Sequence, residues 1–255
     1  MTLSNAAIRR ILVIPARRRS TRLPDKMLLR AGGKSVIQHT YEASLKVRNA
    51  QLVLIATDDE EIAAEARRFG ALAVMTSPDC PSGTDRVAEA VAAYPAAEVI
   101  VNLQGDEPDA DAEAIDRLFE LLENNPAAAM ATLATPIRER HKLEDPSCVK
   151  VTFDNAGRAL YFSRSPIPHA REWDDNLLAA EPPVFHQHIG IYGYRRSLLM
   201  QMPQWPVGQL EQIEKLEQLR VLENGESILV AVTQQATRGI DTPEDFAAFV
   251  ARRAA

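Results

Sequence analysis

Short apolar runs alternating with amphipathic segments constrain the fold of this chain more than any other feature. Ile11-Leu-Val-Ile14 is aliphatic and β-branched, the signature of a short buried strand. Leu52-Val-Leu-Ile-Ala56 repeats the pattern, Ala71 to Met75 offers a shorter third strand, and Glu98 to Leu103 another. Helical segments lie between them. Ser35 to Val47 carries Val36, Ile37, Tyr41 and Leu45 on one side. Asp58 to Phe69 has Asp58 placed to cap it and Gly70 to stop it. Ser82 to Tyr94 sets Val87, Ala90, Val91 and Tyr94 in helical register. Such alternation with short connections predicts an α/β fold built on a parallel sheet. Ligands on such sheets bind beyond the carboxyl ends of the strands. That singles out two loops, Ala16 to Lys26 and Gln104 to Pro108.

After residue 125 the pattern changes. Met130–Thr135, Val149–Asp154, Ala159–Phe162, His186–Arg195 and Ile228–Val232 read as strands, with Asn155-Ala-Gly157 as a turn between the second and third. Gln209 to Glu223 reads as one helix with Leu210, Ile213, Leu216, Leu219 and Leu222 on its apolar face, ended by Asn224-Gly225. Thr242 to Arg253 reads as a final helix, and Pro166 to Pro183 as a long surface loop. No clean linker separates the parts. The expectation is therefore a single domain, with a first half at about 10–125, a mixed-sheet part at about 126–235 and a C-terminal helix at 242–253.

Composition narrows the function. Among 255 residues 46% are hydrophobic, which suits a sizeable core and excludes a disordered chain. A net charge of -6 argues against non-specific nucleic-acid binding. Residues 1–34 nevertheless hold nine basic groups and one acid, Asp25. The two cysteines, Cys80 and Cys148, are too few for a disulfide framework and read as reduced thiols of a cytoplasmic protein. No stretch reaches the ~18 apolar residues of a membrane span, and the N-terminus lacks a signal-peptide core.

Four motifs carry candidate chemistry. The loop IPARRRSTRLPDK (14–26) concentrates Arg17, Arg18, Arg19, Arg22 and Lys26 directly after a strand, where they can surround a polyphosphate. A solvated basic loop is the bland alternative. It has neither a Walker-type phosphate loop nor a dinucleotide glycine signature. Asp106, in Gln104-Gly-Asp-Glu-Pro108, is placed to hold Mg²⁺ together with substrate phosphates, or serves an ordinary Gly-Asp turn. Asp241 sits before a helix, where capping is the commoner use of Asp. His188 is a lone strand histidine, a pattern that more often marks packing than catalysis.

Taken in order, these segments resemble the 3-deoxy-manno-octulosonate (Kdo) cytidylyltransferases. The series runs from IPARRRSTRLPDK through ATDDEEIA (56–63), SGTDR (82–86), VIVNLQGDEP (99–108) and MATLATPI (130–137). It continues through VKV (149–151), ALYFSRSPIP (159–168), HIGIYGYR (188–195), LEQLRVLENGE (216–226) and GIDTPED (239–245). The resemblance implies a Rossmann-like, mixed but mostly parallel sheet of the nucleotide-diphospho-sugar transferase type, with a smaller sugar-binding and dimerisation β region. It implies transfer of CMP from CTP to Kdo with Mg²⁺, by a cytoplasmic homodimer serving lipopolysaccharide synthesis, with no nucleic-acid or membrane partner. Carried over by position, Arg17, Arg22 and Lys26 would bind the triphosphate. Ala16, Ser20, Ser82 and Gly83 would line the nucleotide, and Asp106 and Asp241 would hold the metal. Arg164 would grip the sugar carboxylate, and Gln104, His188, Tyr192, Glu217 and Gln218 would contact its hydroxyls. The chain departs from the family pattern at Arg18, Arg19, Asp25, Gln187, Gly208 and Gln212. Asp25 would bring negative charge near the triphosphate unless an arginine pairs with it. The last three fall at the family's sugar end and bear on whether the sugar is Kdo or its 8-amino analogue.

Overall fold

The computed structural model describes residues 7–18, 22–234 and 239–254. They divide between two compact units, one within Met1–Phe119 and Thr237–Ala255, the other Glu120–Ala236.

The first unit is built on four parallel strands: β1 (Arg10–Ala16), β4 (Leu52–Thr57), β5 (Leu72–Met75) and β6 (Val99–Asn102), in the order β6-β1-β4-β5. Val13 lies beside Asn102 on one side and Leu54 on the other, so β1 is central. The central position explains its unbroken apolar run, since Ile11 to Ile14 are fully buried. A small antiparallel ribbon, β2 (Arg30–Ala31) and β3 (Lys34–Ser35), precedes helix α1 (Val36–Ser44). Helices α2 (Glu60–Arg68) and α3 (Gly83–Ala90) complete the crossovers. The cap of α2 is Asp59, whose carboxylate accepts from the backbone of Glu61 and Ile62. Asp58, the expected cap, instead pairs with Arg86.

Helix α4 (Ala112–Asn124) leads from the first unit into the second and has no counterpart in the sequence reading. Ala114, Ile115, Leu118, Phe119 and Leu122 recur along it at helical spacing and are buried.

The second unit is a mixed sheet. Strand β7 (Met130–Pro136) pairs in parallel with β11 (Ile228–Val232) and antiparallel with β10 (His186–Arg195). β8 (Lys150–Phe153) and β9 (Ala159–Ser163) form a hairpin, and β8 joins β10 where Lys150 faces Gln187. Gly157 turns the hairpin with φ +76, a conformation glycine adopts freely. Short helices α5 (Arg140–Glu144), α6 (Asn176–Ala179) and α7 (Arg196–Gln201) fill connections that the sequence reading left irregular. α6 lies within the expected 166–183 loop. Its Leu177 and Leu178 pack on a cluster of Ile137, Leu143, Cys148 and Phe185.

The helix expected over 209–223 is two helices, α8 (Gln209–Glu214) and α9 (Gln218–Glu223). Lys215 takes a left-handed conformation, φ 55, which ends α8. The apolar stripe divides accordingly: Leu216 and Leu219 are buried, whereas Ile213 is 71% exposed. The last helix, α10 (Pro243–Ala254), packs back on the first unit through Phe249, which clusters with Leu23, Ala31, Val36 and Ile240. No helix among the described residues is long and apolar enough to cross a membrane.

Candidate active site

A cavity of about 200 Å³ opens in the first unit, beyond the carboxyl ends of β1 and β6. Both loops singled out in the sequence line it, as does the start of α3. Ala16, Arg17, Arg22, Lys26, Ser82, Gly83, Gln104, Asp106 and Asp241 are all among its lining residues. The structure thus brings together residues separated by up to 225 positions. Ser20 lies outside the described residues.

Packing explains how the loops are held. A Cβ at Gly105 would lie 3.0 Å from both the Pro15 carbonyl and the Met27 sulfur, so a larger residue would have to push this turn away from β1. The Gly105 carbonyl accepts a 2.8 Å hydrogen bond from buried Thr40. Next in sequence, Asp106 projects its carboxylate into the cavity while its carbonyl accepts from Ile240 N at 2.9 Å. That backbone bond brings Asp241 alongside. The cap of α10 is Thr242, whose hydroxyl accepts from Asp245 N while Asp245 accepts from Thr242 N. With this reciprocal cap filled by its neighbours, the Asp241 carboxylate serves the cavity rather than the helix end.

Lys26 joins the two acids. Its ammonium donates to Asp106 Oδ2 and, at 3.0 Å, to Asp241 Oδ1. Arg22 adds a second cation on Asp241 at 3.1 Å. The carboxylates therefore converge on one point that now holds a positive charge. Among the described residues no group of three or more His, Cys, Asp or Glu side chains is placed to hold a metal ion. Mg²⁺ does not need one, since it is commonly held by one or two carboxylates with phosphates and water completing the shell. The donor set fits such an ion.

Arg17 is exposed at the cavity rim. Arg18 turns away to bind Asp25 and Glu61, each at 2.8 Å. The acid at position 25 is thus neutralised by the arginine at 18, and two departures from the family pattern answer each other. Asp25 also holds a left-handed backbone, φ 53, where glycine is the easier residue.

Arg86 and Cys80 line the cavity without having been singled out. Arg86 is buried, bonded to Thr76 and paired with Asp58 at 3.1 Å. Its signal was its place in SGTDR, directly on the helix that starts at the cavity. Cys80 is free, and its thiol is pushed up to about 11 by burial and by its contact with Glu89, so it is not an activated nucleophile.

The second unit gathers other expected residues. His188 is buried and pushed down to about 3 by desolvation, so it is neutral. Its Nε2 lies 3.0 Å from Thr132 Oγ1, which is also 3.1 and 3.0 Å from the carbonyls of Ile189 and Ile191. A hydroxyl has one proton, and the carbonyls can only accept. The consistent arrangement is His188 donating from Nε2, with Nδ1 left as an acceptor. Tyr192 packs 5.4 Å from the His188 ring and donates to Gln218 Oε1 at 3.2 Å. Burial, and then the charge of Glu217, hold its hydroxyl firmly protonated. The Gln218 Nε2 is buried without a hydrogen-bond partner, an amide donor available to a ligand.

Arg164 belongs to a separate network. Its guanidinium donates to three main-chain carbonyls: Glu214 at 2.7 Å, Pro146 at 3.0 Å and Lys215 at 3.5 Å. Among the described residues it has no carboxylate partner, so its charge is oriented but not neutralised. Of the sugar-end departures, Gln212 donates to the Val207 carbonyl at 3.1 Å. Gly208 starts α8, and Gln187 sits on β10 opposite Lys150.

A parallel α/β sheet with a basic, acid-centred cavity at its carboxyl edge defines a nucleotide-handling transferase, and the cytidylyltransferase family model matches residues 11–228. A Rhodopirellula baltica protein named 3-deoxy-manno-octulosonate cytidylyltransferase is 51% identical over 243 residues, covering 95% of this chain and 97% of that protein. A Shewanella sediminis protein named 8-amino-3,8-dideoxy-manno-octulosonate cytidylyltransferase is 43% identical, covering 92% and 94%. A solved structure of a CMP:2-keto-3-deoxy-manno-octonic acid synthetase complexed with CTP matches with a TM-score of 0.89 at 39% identity, covering 96% and 98%. This chain belongs to the 3-deoxy-manno-octulosonate cytidylyltransferase family.

Proposed function

We propose that the chain transfers CMP from CTP to the anomeric hydroxyl of Kdo, releasing pyrophosphate and giving CMP-Kdo for lipopolysaccharide synthesis. The observation that carries this reading is the convergence of Asp106 and Asp241 on one cation inside a cavity lined by Arg17, Arg22 and Lys26. The relative that shares 39% identity is a CTP complex of a Kdo-type synthetase.

In the reaction the sugar oxygen bonds to the α-phosphorus, the bond from that phosphorus to the β-phosphate oxygen breaks, and the hydroxyl proton is lost. Positioning and charge stabilisation dominate such transfers. Arg17, Arg22 and Lys26 take up charge on the leaving pyrophosphate. Ala16 and the Ser82-Gly83 start of α3 line the nucleotide, and Ser20 is assigned to it by resemblance alone. Arg164 offers its remaining N–H groups to the sugar carboxylate. Gln104, neutral His188, Tyr192, Glu217 and Gln218 meet the sugar hydroxyls.

Asp106 and Asp241 would hold Mg²⁺, which when bound neutralises phosphate charge and lowers the pKa of the sugar hydroxyl. A homodimer fits the exposure of Leu160 and Ile213 in the second unit, and a cytoplasmic setting fits two free cysteines.

The second reading is an 8-amino-Kdo substrate, favoured by the Shewanella relatives at 43% identity. The test is a panel of sugar acids (Kdo, 8-amino-Kdo, sialic acid) with CTP and Mg²⁺, read by pyrophosphate release. Turnover with Kdo supports the proposal, and turnover with the 8-amino sugar alone selects the second reading. Turnover with sialic acid and neither of the others would overturn both.

A further inference from the structure

We infer that Lys150, with Glu214, is a positioning residue for the sugar end of the reaction: it fixes Arg164. The inference rests on the reading that Arg164 binds the sugar carboxylate.

Lys150 is completely buried. Its Nζ lies 2.8 Å from the Asp145 carbonyl, 2.7 Å from that of Cys148 and 2.7 Å from that of Arg164. Three donors from one amine require an ammonium, because a neutral amine has two N–H groups. Burial, and to a smaller extent the nearby charge of Arg164, disfavour that charge, while Cys148, Asp145 and Glu214 favour it. A chain tolerates such a charge in its interior when the fold uses all three bonds.

Here all three bonds converge on one neighbourhood. The Arg164 carbonyl is one acceptor, and Asp145 and Cys148 flank Pro146, whose carbonyl receives the Arg164 guanidinium. Glu214 completes the hold. Its Oε2 accepts from Arg164 N at 2.9 Å, its Oε1 from Ser163 Oγ at 2.6 Å, and its own carbonyl from Arg164 Nε. Arg164 is therefore fixed at its amide, its carbonyl and three guanidinium nitrogens. Five N–H donors less the three engaged leaves two, one on each terminal nitrogen. That is an arginine set in place before its ligand arrives.

The register extends the reach of Lys150. It faces Ser163 of β9 on one side and Gln187 of β10 on the other. The next residue along each segment is a proposed sugar contact: Arg164, just past the end of β9, and His188 of β10. His188 N also donates to the Val149 carbonyl at 2.8 Å. The strand that carries Lys150 thus lies between the two segments that carry those contacts.

The experiment uses the full-length enzyme with CTP and Kdo, comparing Lys150→Met, Glu214→Gln, Arg164→Ala and the Lys150→Met/Arg164→Ala double variant. The expected result is a KM for Kdo raised at least about tenfold by Lys150→Met or Glu214→Gln, with the KM for CTP within twofold. The double variant should be no worse for Kdo than Arg164→Ala alone, since both act through one guanidinium. If Lys150→Met does not fold, Glu214→Gln carries the test. A Kdo KM unchanged in Lys150→Met and Glu214→Gln but raised in Arg164→Ala would overturn this inference alone, as would equal rises in both KM values. A Kdo KM unchanged in Arg164→Ala would overturn the reading of Arg164 and this inference with it.

Discussion

Lys26 is bonded to Asp106 and Asp241 at once, and it is 7% exposed. A buried ammonium loses far more from the removal of a close partner than a surface one does. The two acids are not equivalent in this respect. The Asp106 side chain is 20% exposed, whereas that of Asp241 is 46% exposed and also bound by Arg22. Asp106→Asn and Asp241→Asn are each expected to lower turnover at least ~100-fold, the scale of losing a main electrostatic stabiliser. Asp106→Asn is expected to cost the larger stability. Pyrophosphate release and urea unfolding on both variants measure this, and a near-normal rate in either removes that residue from the metal role.

Lys26→Met separates the two duties of the lysine. It frees both carboxylates from their internal cation, so a divalent ion should bind more tightly without nucleotide. The same change should raise the KM for CTP, since a triphosphate contact is lost. Mn²⁺ binding followed by electron paramagnetic resonance gives the first quantity independently of activity. Weaker Mn²⁺ binding in Lys26→Met would mean that the lysine does not stand where the cation goes.

How far the site was legible in the sequence differs from residue to residue. The basic loop and the Asp106 turn are visible because each follows an apolar run that reads as a buried strand, and the strand end fixes where the loop goes. Asp241 was ambiguous, because Asp before a helix serves equally as a cap. What decides it is the Thr242–Asp245 reciprocal pair, a tertiary detail that spacing does not encode. The break at Lys215 was hidden for a related reason. Leu210 to Leu222 keeps helical spacing in the sequence across it, and nothing in that spacing marks a left-handed residue at 215. Lys150 was invisible because a lysine in a strand reads as surface, and only the structure shows three carbonyls waiting for it. α4 is the opposite case. Its periodicity at Ile115, Leu118, Phe119 and Leu122 is plain in the sequence alone.

Gly208 and Glu223 form a compensating pair that bears on one of the family departures. A Cβ at residue 208 would fall 1.9 Å from Glu223 Oε2, so the carboxylate fills the space a side chain there would need. Glu223 accepts from Leu210 N at 2.9 Å and Glu211 N at 3.4 Å, capping α8 from a distance. Glu223→Ala is expected to cost about 1 kcal/mol, the usual loss of a helix cap. In a Gly208→Ser background the new hydroxyl can take over, and the same change should cost only a few tenths. Equal costs in the two backgrounds, by urea unfolding, would show that Glu223 is not the substitute cap.

His188 gives the stability of the fold a pH dependence of known sign. The folded chain holds its imidazole down at about 3, against the ordinary 6.5. Above pH 6.5 both folded and unfolded chains keep it neutral, and stability is unaffected by this group. Below 6.5 the unfolded chain takes up a proton that the folded chain refuses, so stability falls as pH falls, until the folded site titrates near 3. The slope contributed approaches about 1.4 kcal/mol per pH unit within that window. His186, also pushed down by burial and by Arg138, acts in the same direction. His188→Gln can still donate to Thr132 but cannot titrate. The stability advantage of the parent over this variant should therefore shrink by roughly 1–2 kcal/mol between pH 6.5 and pH 5. Urea unfolding at the two pH values measures it, and parallel losses in parent and variant would mean that His188 is accessible to protons in the folded chain. Because the imidazole stays neutral throughout, the rate profile above pH 5 should carry no limb that His188→Gln removes.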